Sequence, residues 1–550
     1  MTQRSILHKA RSEYQPKLPA VFGSGPAVNI ARGDASLPAE DADRIQALFP
    51  HTCGLPVVTF EPAEKKEYKP LHLAVILSGG QAPGGHNVIA GLYDGLKACH
   101  PDSKLYGFLG GPSGLVENRY LEIDASLIDA YRNTGGFDII GSGRTKLEKK
   151  EQFDATLKNC NALGIHALVI IGGDDSNTNA AVLAEYYQDQ HADLTVIGVP
   201  KTIDGDLKND MIEASFGFDT ATKVYSELIG NIERDANSAK KYWHIIKLMG
   251  RSASHIALEC ALRTHPNYTI ISEEVAAGEQ TLHHIVEDMA RVIIDRSLNG
   301  DDFGVAIIPE GLIEFIPEMK ALISELNDLL AKHEKEIAAI GEMDKKRIYV
   351  CEKLNKKSGE LYRSLPKIIA EQLIMERDPH GNVQVSLIET DKLLVWMVEE
   401  YLEALREKGE FKGKFKTHTH FFGYEGRCSF PSNFDADYTY SLGYTASLLA
   451  ANRCSGYMSS VRNLLSPAKE WIAGGVPMTS MMNMERRHGK DKPVIRKALV
   501  DLQGKPFRTF AAQRETWAKQ TDYVYPGPIQ YFGPEEVSEM RTITLELEHK

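Results

Sequence analysis

The chain of 550 residues contains no CxxC pair among its seven cysteines, at positions 53, 99, 160, 260, 351, 428 and 454. A scattered, odd-numbered set excludes a disulfide framework and predicts reduced thiols in a cytoplasmic compartment. Positive charge is not in excess. The 63 Lys and Arg face 75 Asp and Glu, a net charge of −12. That balance excludes a broad nucleic-acid footprint, but one basic cleft for a small anion remains open. No apolar run approaches the ~20 residues of a membrane helix. The opening "MTQRSILHKARSEYQPKLP" has no apolar core of signal-peptide length, so a soluble intracellular protein without membrane contact is expected. There is no repeat of solenoid period, no low-complexity tract, no Walker A loop and no GxGxxG. What remains is an ordinary globular composition, 43% hydrophobic and 25% charged, on a chain long enough for two or more domains.

Residues 1–70 are mixed in character and rich in proline, and read as an N-terminal extension laid over the surface. From Leu71 a rhythm begins. Short apolar runs stand at 71–77, 104–110, 166–171, 194–199, 242–249, 268–272 and 303–309, and helical patterns fall at 219–237, 252–264 and 282–299. Apolar strands alternating with amphipathic helices predict parallel sheets covered by helices on both faces. Ligands of such sheets bind beyond the carboxyl ends of the strands. Leu, Glu and Lys at helical spacing then mark residues 312–415 as a helical insertion, and residues 416–475 return to α/β texture. The expected division is an α/β domain at 71–240, a second at 241–311 with 416–475, and a C-terminal segment at 476–550 that packs on the core.

Three stretches carry the chemistry. "LSGGQAPGGHN" puts Gly79 and Gly80 in a loop between a strand and a helix. Glycines let backbone N–H groups close on a phosphate, and the helix N-terminus adds positive potential; a plain tight turn would read the same. "HALVIIGGDDSNTN" puts Asp174 and Asp175 at a strand end. A carboxylate there can face Mg²⁺ on a polyphosphate. Helix capping would account for one acid without needing two. "GVPKTIDGDLKND" crowds Lys201, Thr202, Asp204 and Asp206 onto one loop. A lysine holds phosphate as a compact charge, and a nearby aspartate can take a proton from a hydroxyl; "DGD" is also good turn chemistry. Weaker single signals are Arg144 in "GSGRTK", Lys241 and Tyr242 in "SAKKYW", Met249, Gly250 and Arg251 in "KLMGRSAS", Glu310 in "IIPEG", and Tyr424 and Arg427 in "YEGR". His418 and His420 alternate on an expected strand, but without a third ligand they do not define a metal site.

"SGGQAPGGHN", "GGDDSNTN", "PKTIDGD", "MGR", "PEG" and "YEGR", in this order, resemble the phosphofructokinase family, and within it the long, diphosphate-dependent form. The similarity spans roughly residues 71–465. The resemblance implies two Rossmann-like three-layer α/β/α domains with mostly parallel sheets and an active site in the cleft between them. It implies phosphoryl transfer from diphosphate to the 1-hydroxyl of fructose 6-phosphate, with Mg²⁺. Gly79, Gly80, Lys201 and Arg144 match the diphosphate side, and Asp174 the metal carboxylate. Asp204 matches the base, with Thr202 and Asp206 beside it. Met249, Gly250, Arg251, Glu310, Tyr424 and Arg427 match the sugar-phosphate site. Lys241 and Tyr242 match a segment that reaches the neighbouring subunit's sugar phosphate, which implies a homodimer. Glycines are typical of ATP-dependent members where this chain has Asp175 and Lys201. Asp175 then repels a nucleotide's α-phosphate, while Lys201 serves the donor's phosphates and balances the added carboxylate. The rivals are an ATP-dependent 6-phosphofructokinase, separated by donor preference, and a non-catalytic regulatory subunit, which should lack the base or the metal carboxylate.

Overall fold

The computed structural model describes residues 5–375, 383, 387–487 and 490–549. The chain forms two compact units. The first comprises Met1–Val224, Tyr424–Ala498 and Ile529–Lys550, and the second Tyr225–Gly423 and Leu499–Pro528.

The first unit is built on a ten-stranded sheet. Its centre is parallel, in the spatial order Tyr457–Arg462, Thr195–Pro200, Ala167–Gly172, His72–Ser78 and Lys104–Phe108. Every residue of Ala167–Gly172 and Thr195–Pro200 is buried, which is why both read as unbroken apolar runs. Antiparallel strands finish the sheet: Tyr120–Ile123 on one side, and Ile472–Pro477, Pro56–Pro62 and Val28–Ala35 on the other. Residues 28–62 therefore prolong the sheet and do not merely lie over it. The strands at 457–477 join this first unit, whereas the sequence segmentation grouped them with the second α/β domain.

The order of connections creates the site. From His72–Ser78 the chain moves to Lys104–Phe108 on one flank, then to Ala167–Gly172 on the other. The carboxyl ends of His72–Ser78 and Ala167–Gly172 thus border a topological switch point, where α/β sheets leave a crevice. The glycine loop after Ser78 and the paired acids after Gly173 open onto it.

Two buried helices, Gly85–Cys99 and Asn433–Ala451, pack backbone to backbone beside this sheet. A Cβ on Gly443 would stand 2.0 Å from Val88 O, and one on Gly91 2.0 Å from Tyr440 O. Any side chain there must force the helices apart. Gly443→Ala is expected to lower stability by about 2–3 kcal/mol through overpacking, read from the urea midpoint at constant slope. The N-terminal stretch is anchored nearby. Buried Arg11 donates to Asn433 Oδ1 and Pro431 O, both at 2.7 Å, and lies between the rings of Tyr14 and Tyr531.

The second unit carries four parallel strands, ordered Tyr268–Thr269, Gly304–Pro309, Trp243–Leu248 and Thr417–Phe422. The expected insertion is helical where described, including Pro317–Lys332, Met343–Lys353, Lys356–Ser364, Lys367–Met375 and Thr390–Glu407; residues 376–382 and 384–386 lie outside the described residues. It shares one apolar core with the sheet, since Leu322, Leu326, Leu373 and Val398 pack in the cluster that holds Ile245, Ile293 and Ile308. The C-terminal segment serves both units. Helix Lys505–Lys519 belongs to the second, and Ile529–Lys550 returns to the first. No helix among the described residues is long and apolar enough to cross a membrane.

Candidate active site

On the first unit, Gly79 takes φ +85°, and its N–H donates to Gly143 O at 2.9 Å. This left-handed turn exposes the loop to cations. A Cβ on Gly79 would stand 3.7 Å from Lys201 Nζ and 3.9 Å from Ser176 Oγ. One on Gly80 would stand 3.7 Å from Arg427 Nη1 and 3.8 Å from Arg144 Nη2. One ammonium and two guanidiniums therefore converge on two glycines whose lack of side chains leaves room for an anion.

The acids sit across the switch point. Helix Asp174–Asp189 takes Gly173 as its N-cap, with no side chain capping it. Neither aspartate spends itself as a cap. Both occupy the first turn, where the helix dipole favours negative charge. Ser176 Oγ donates to Ser78 Oγ at 2.8 Å. Asn177 Nδ2 donates to Gly172 O at 2.6 Å, so the two strand ends and the helix start are tied together. Each acid has its own lysine. Lys497 Nζ stands 3.5 Å from Asp174 Oδ2, and Lys146 Nζ stands 3.5 Å from Asp175 Oδ1.

Lys201 is buried at the end of strand Thr195–Pro200, its N–H bound to Gly172 O at 3.0 Å. Burial pushes its ammonium down to about 8, against the opposing pull of Asp204, Asp174 and Asp206. Asp204 N donates to Thr202 Oγ1 at 3.1 Å, and Gly205 at φ +74° closes the turn. Asp204 is only half-buried, whereas Asp206 is buried. Burial, reinforced by Asp204 and Asp174, pushes the Asp206 carboxyl up to about 7. The lysine beside Asp175 is thus Lys146, while Lys201 is set among the other three acids.

The second unit gathers another group. Met249, Gly250 and Arg251 follow strand Trp243–Leu248, and Glu310 follows its neighbour Gly304–Pro309. Buried Glu310 accepts from Gly250 N at 3.1 Å, and Gly311 N donates to Gly250 O at 3.1 Å. Gly250 takes φ +139°. The crossing leaves Arg251 exposed at the carboxyl end of a parallel sheet, where it is open to an anion. Lys241 and Tyr242 precede the same strand, so they lie on the order of 20 Å from Met249 at ~3.3 Å per residue. Tyr424 and Arg427, expected with this group, lie on the first unit, Arg427 stacked on the Tyr424 ring and beside Gly80. His418 and His420 share a face with His244, whose Nδ1 is 3.0 Å from His420 Nε2. Among the described residues, no three His, Cys, Asp or Glu side chains come together to hold a metal by themselves.

A family model described as Phosphofructokinase matches residues 72–449. The chain belongs to the phosphofructokinase family. A protein from Porphyromonas gingivalis named pyrophosphate--fructose 6-phosphate 1-phosphotransferase is 60% identical over 546 residues, covering 99% of each chain. The beta 1 subunit of the enzyme of that name from Arabidopsis thaliana is 51% identical over 532 residues, covering 96% of this chain and 92% of its own. The crystal structure of a pyrophosphate-dependent phosphofructokinase from Marinobacter aquaeolei shares the fold. Its TM-score is 0.53 at 16% identity, over 82% of this chain and 93% of that one.

The phosphofructokinase motifs account for most of the residues gathered on the two units, but not for Lys146 or Lys497. Lys146 closes the stretch "GSGRTK" two residues after Arg144 and was within reach of the motif. Lys497 lies in the polar tail, 323 residues after Asp174, and no spacing rule connects them.

Proposed function

We propose that this chain reversibly transfers a phosphoryl group from diphosphate to the 1-hydroxyl of fructose 6-phosphate, giving fructose 1,6-bisphosphate and phosphate. The observation that carries this reading is the pairing of Asp174 and Asp175 at the switch point with buried Lys201 beneath Gly79. That arrangement supports a cationic seat for a short donor, and in this reading Asp175 sets a carboxylate against a nucleotide's α-phosphate. The names of the relatives at 60% and 51% identity support the same substrates.

In this reading Gly79, Gly80, Arg144 and Lys201 bind the diphosphate, and Lys201 and Arg144 stabilise charge on the transferring group. Asp204 takes the proton from the sugar hydroxyl as its oxygen attacks in line, with Thr202 and Asp206 shaping the turn around it. Positioning and electrostatics supply most of the rate in such transfers. The donor set fits Mg²⁺, which takes one or two carboxylates and phosphate oxygens and avoids all-protein cages. Asp174 would hold it, and the ion would polarise the phosphates. On the second unit Met249, Gly250, Arg251 and Glu310 are the proposed sugar-phosphate residues, and on the first unit Tyr424 and Arg427 are. Lys241 and Tyr242 lie at the other end of their strand, which supports their serving the sugar site of a second copy in a homodimer. Seven free thiols support work in the reducing cytoplasm.

The test is phosphate release from diphosphate with fructose 6-phosphate and Mg²⁺, beside an ATP control. Turnover with diphosphate at least a hundredfold above that with ATP is expected. Equal or better turnover with ATP would reassign the donor, and turnover with neither would point to a regulatory subunit.

A further inference from the structure

Lys497 is built into the donor side. Two residues before it, Ile495 N donates to Thr178 Oγ1 at 2.9 Å, one helical turn beyond Asp174. One residue after it, Ala498 N donates to Asp206 O at 2.7 Å. The backbone on both sides of Lys497 is thus bound to the helix and the loop that carry the acids. Its ammonium points to Asp174, and its side chain is about one-third exposed, against one-fifth for that of Asp174.

We propose that Lys497 is a positioning residue of the donor site, whose ammonium balances Asp174 in the metal-free chain and competes with the divalent cation for that carboxylate. The inference rests on reading Asp174 as the metal carboxylate. Asp204 and Asp206 lie within electrostatic reach of Asp174, and Asp175 is its chain neighbour. In an empty site an uncompensated Asp174 would repel its neighbours. A divalent cation on Asp174 and an ammonium 3.5 Å from it also repel, so the metal enters by displacing Lys497. The backbone anchors keep the displaced ammonium within the donor site, where the arriving diphosphate is its next partner. Metal loading and donor binding are thereby coupled: the amine that leaves the carboxylate is the one that meets the phosphates.

The test uses Mn²⁺ as probe and the full chain without substrates, with free Mn²⁺ followed by electron paramagnetic resonance. Removing the competing ammonium in Lys497→Met is expected to tighten Mn²⁺ binding about tenfold, the scale of one partly screened charge. Lys497→Gln should do the same, and Lys497→Arg should stay near the wild type. A merely structural role predicts the opposite sign, with looser Mn²⁺ binding and a lower melting temperature. Unchanged or weaker Mn²⁺ binding in both neutral variants overturns the proposal. Asp174→Asn separates this from failure of the parent reading. If it abolishes Mn²⁺ binding while the Lys497 variants change nothing, Asp174 keeps its metal role and Lys497 loses this one. If it too binds Mn²⁺ like the wild type, the metal reading falls and the inference with it.

Discussion

Asp204→Ser is expected to lower kcat with diphosphate by about a thousandfold or more, while the equilibrium affinity for fructose 6-phosphate changes less than about threefold. General-base catalysis by a positioned side chain is typically worth 10²–10⁴. The upper part of that range applies because the neighbouring groups cannot substitute. Asp206 is buried, with little of it open to a substrate. Asp174 has Lys497 at 3.5 Å. Asp204 is the acid of the loop that remains partly open to a substrate, held by the Thr202 turn and by Gly205 at φ +74°. Serine keeps the turn and removes the base, so the loss should fall on kcat and leave binding in place. Steady-state kinetics beside calorimetric titration of the sugar phosphate makes the distinction. A variant that turns over near the normal rate removes Asp204 from the role of base. Equal losses in rate and sugar affinity would make it a binding residue.

The strands of the parallel sheets were legible where burial on both faces left a continuous apolar run. Ala167–Gly172, Thr195–Pro200 and Trp243–Leu248 are examples. Helices were legible from periodicity: expected spans 252–264 and 282–299 correspond to His255–Thr264 and Leu282–Leu298. Strands that broke the apolar pattern were missed. Tyr457–Arg462 carries Ser459 and Ser460 into the interior, where their hydroxyls donate to Leu442 O and Met211 O. Val28–Ala35 is an edge strand exposed over much of its length, so its sequence carries no apolar signal. The run at 268–272 gave only Tyr268–Thr269, because Ser272 already starts a helix. At the site, contiguous motifs announced themselves and remote partners did not. The partner of Asp175 was two residues beyond the arginine that drew attention, and that of Asp174 was supplied by tertiary structure alone.

Changing Asp175 and Lys201 together to glycine is expected to raise kcat/KM for ATP by tenfold or more and to lower that for diphosphate by at least a hundredfold. Two effects set the first number. Like charges ~4 Å apart repel by about 4 kcal/mol at an effective dielectric of ~20. Asp175 is about half exposed, so screening brings its repulsion of an α-phosphate to roughly 2 kcal/mol, about thirtyfold. The second effect comes from Lys146, 3.5 Å from Asp175. In the wild type this ammonium is turned toward the carboxylate. In the variant that partner is gone, and the charge that had served the gate is presented to the nucleotide. The loss with diphosphate has a different origin. Lys201 Nζ lies under Gly79, 3.7 Å from a Cβ position there, and glycine at 201 removes the buried cation nearest the donor loop. Preorganised charge of this kind is commonly worth 10²–10³ in rate. The single variants should divide the work: Asp175→Gly carries most of the gain with ATP, and Lys201→Gly most of the loss with diphosphate. Measuring kcat/KM for both donors across the four proteins checks this. If Asp175→Gly leaves ATP as poor a donor as before, the carboxylate is not what keeps the nucleotide out.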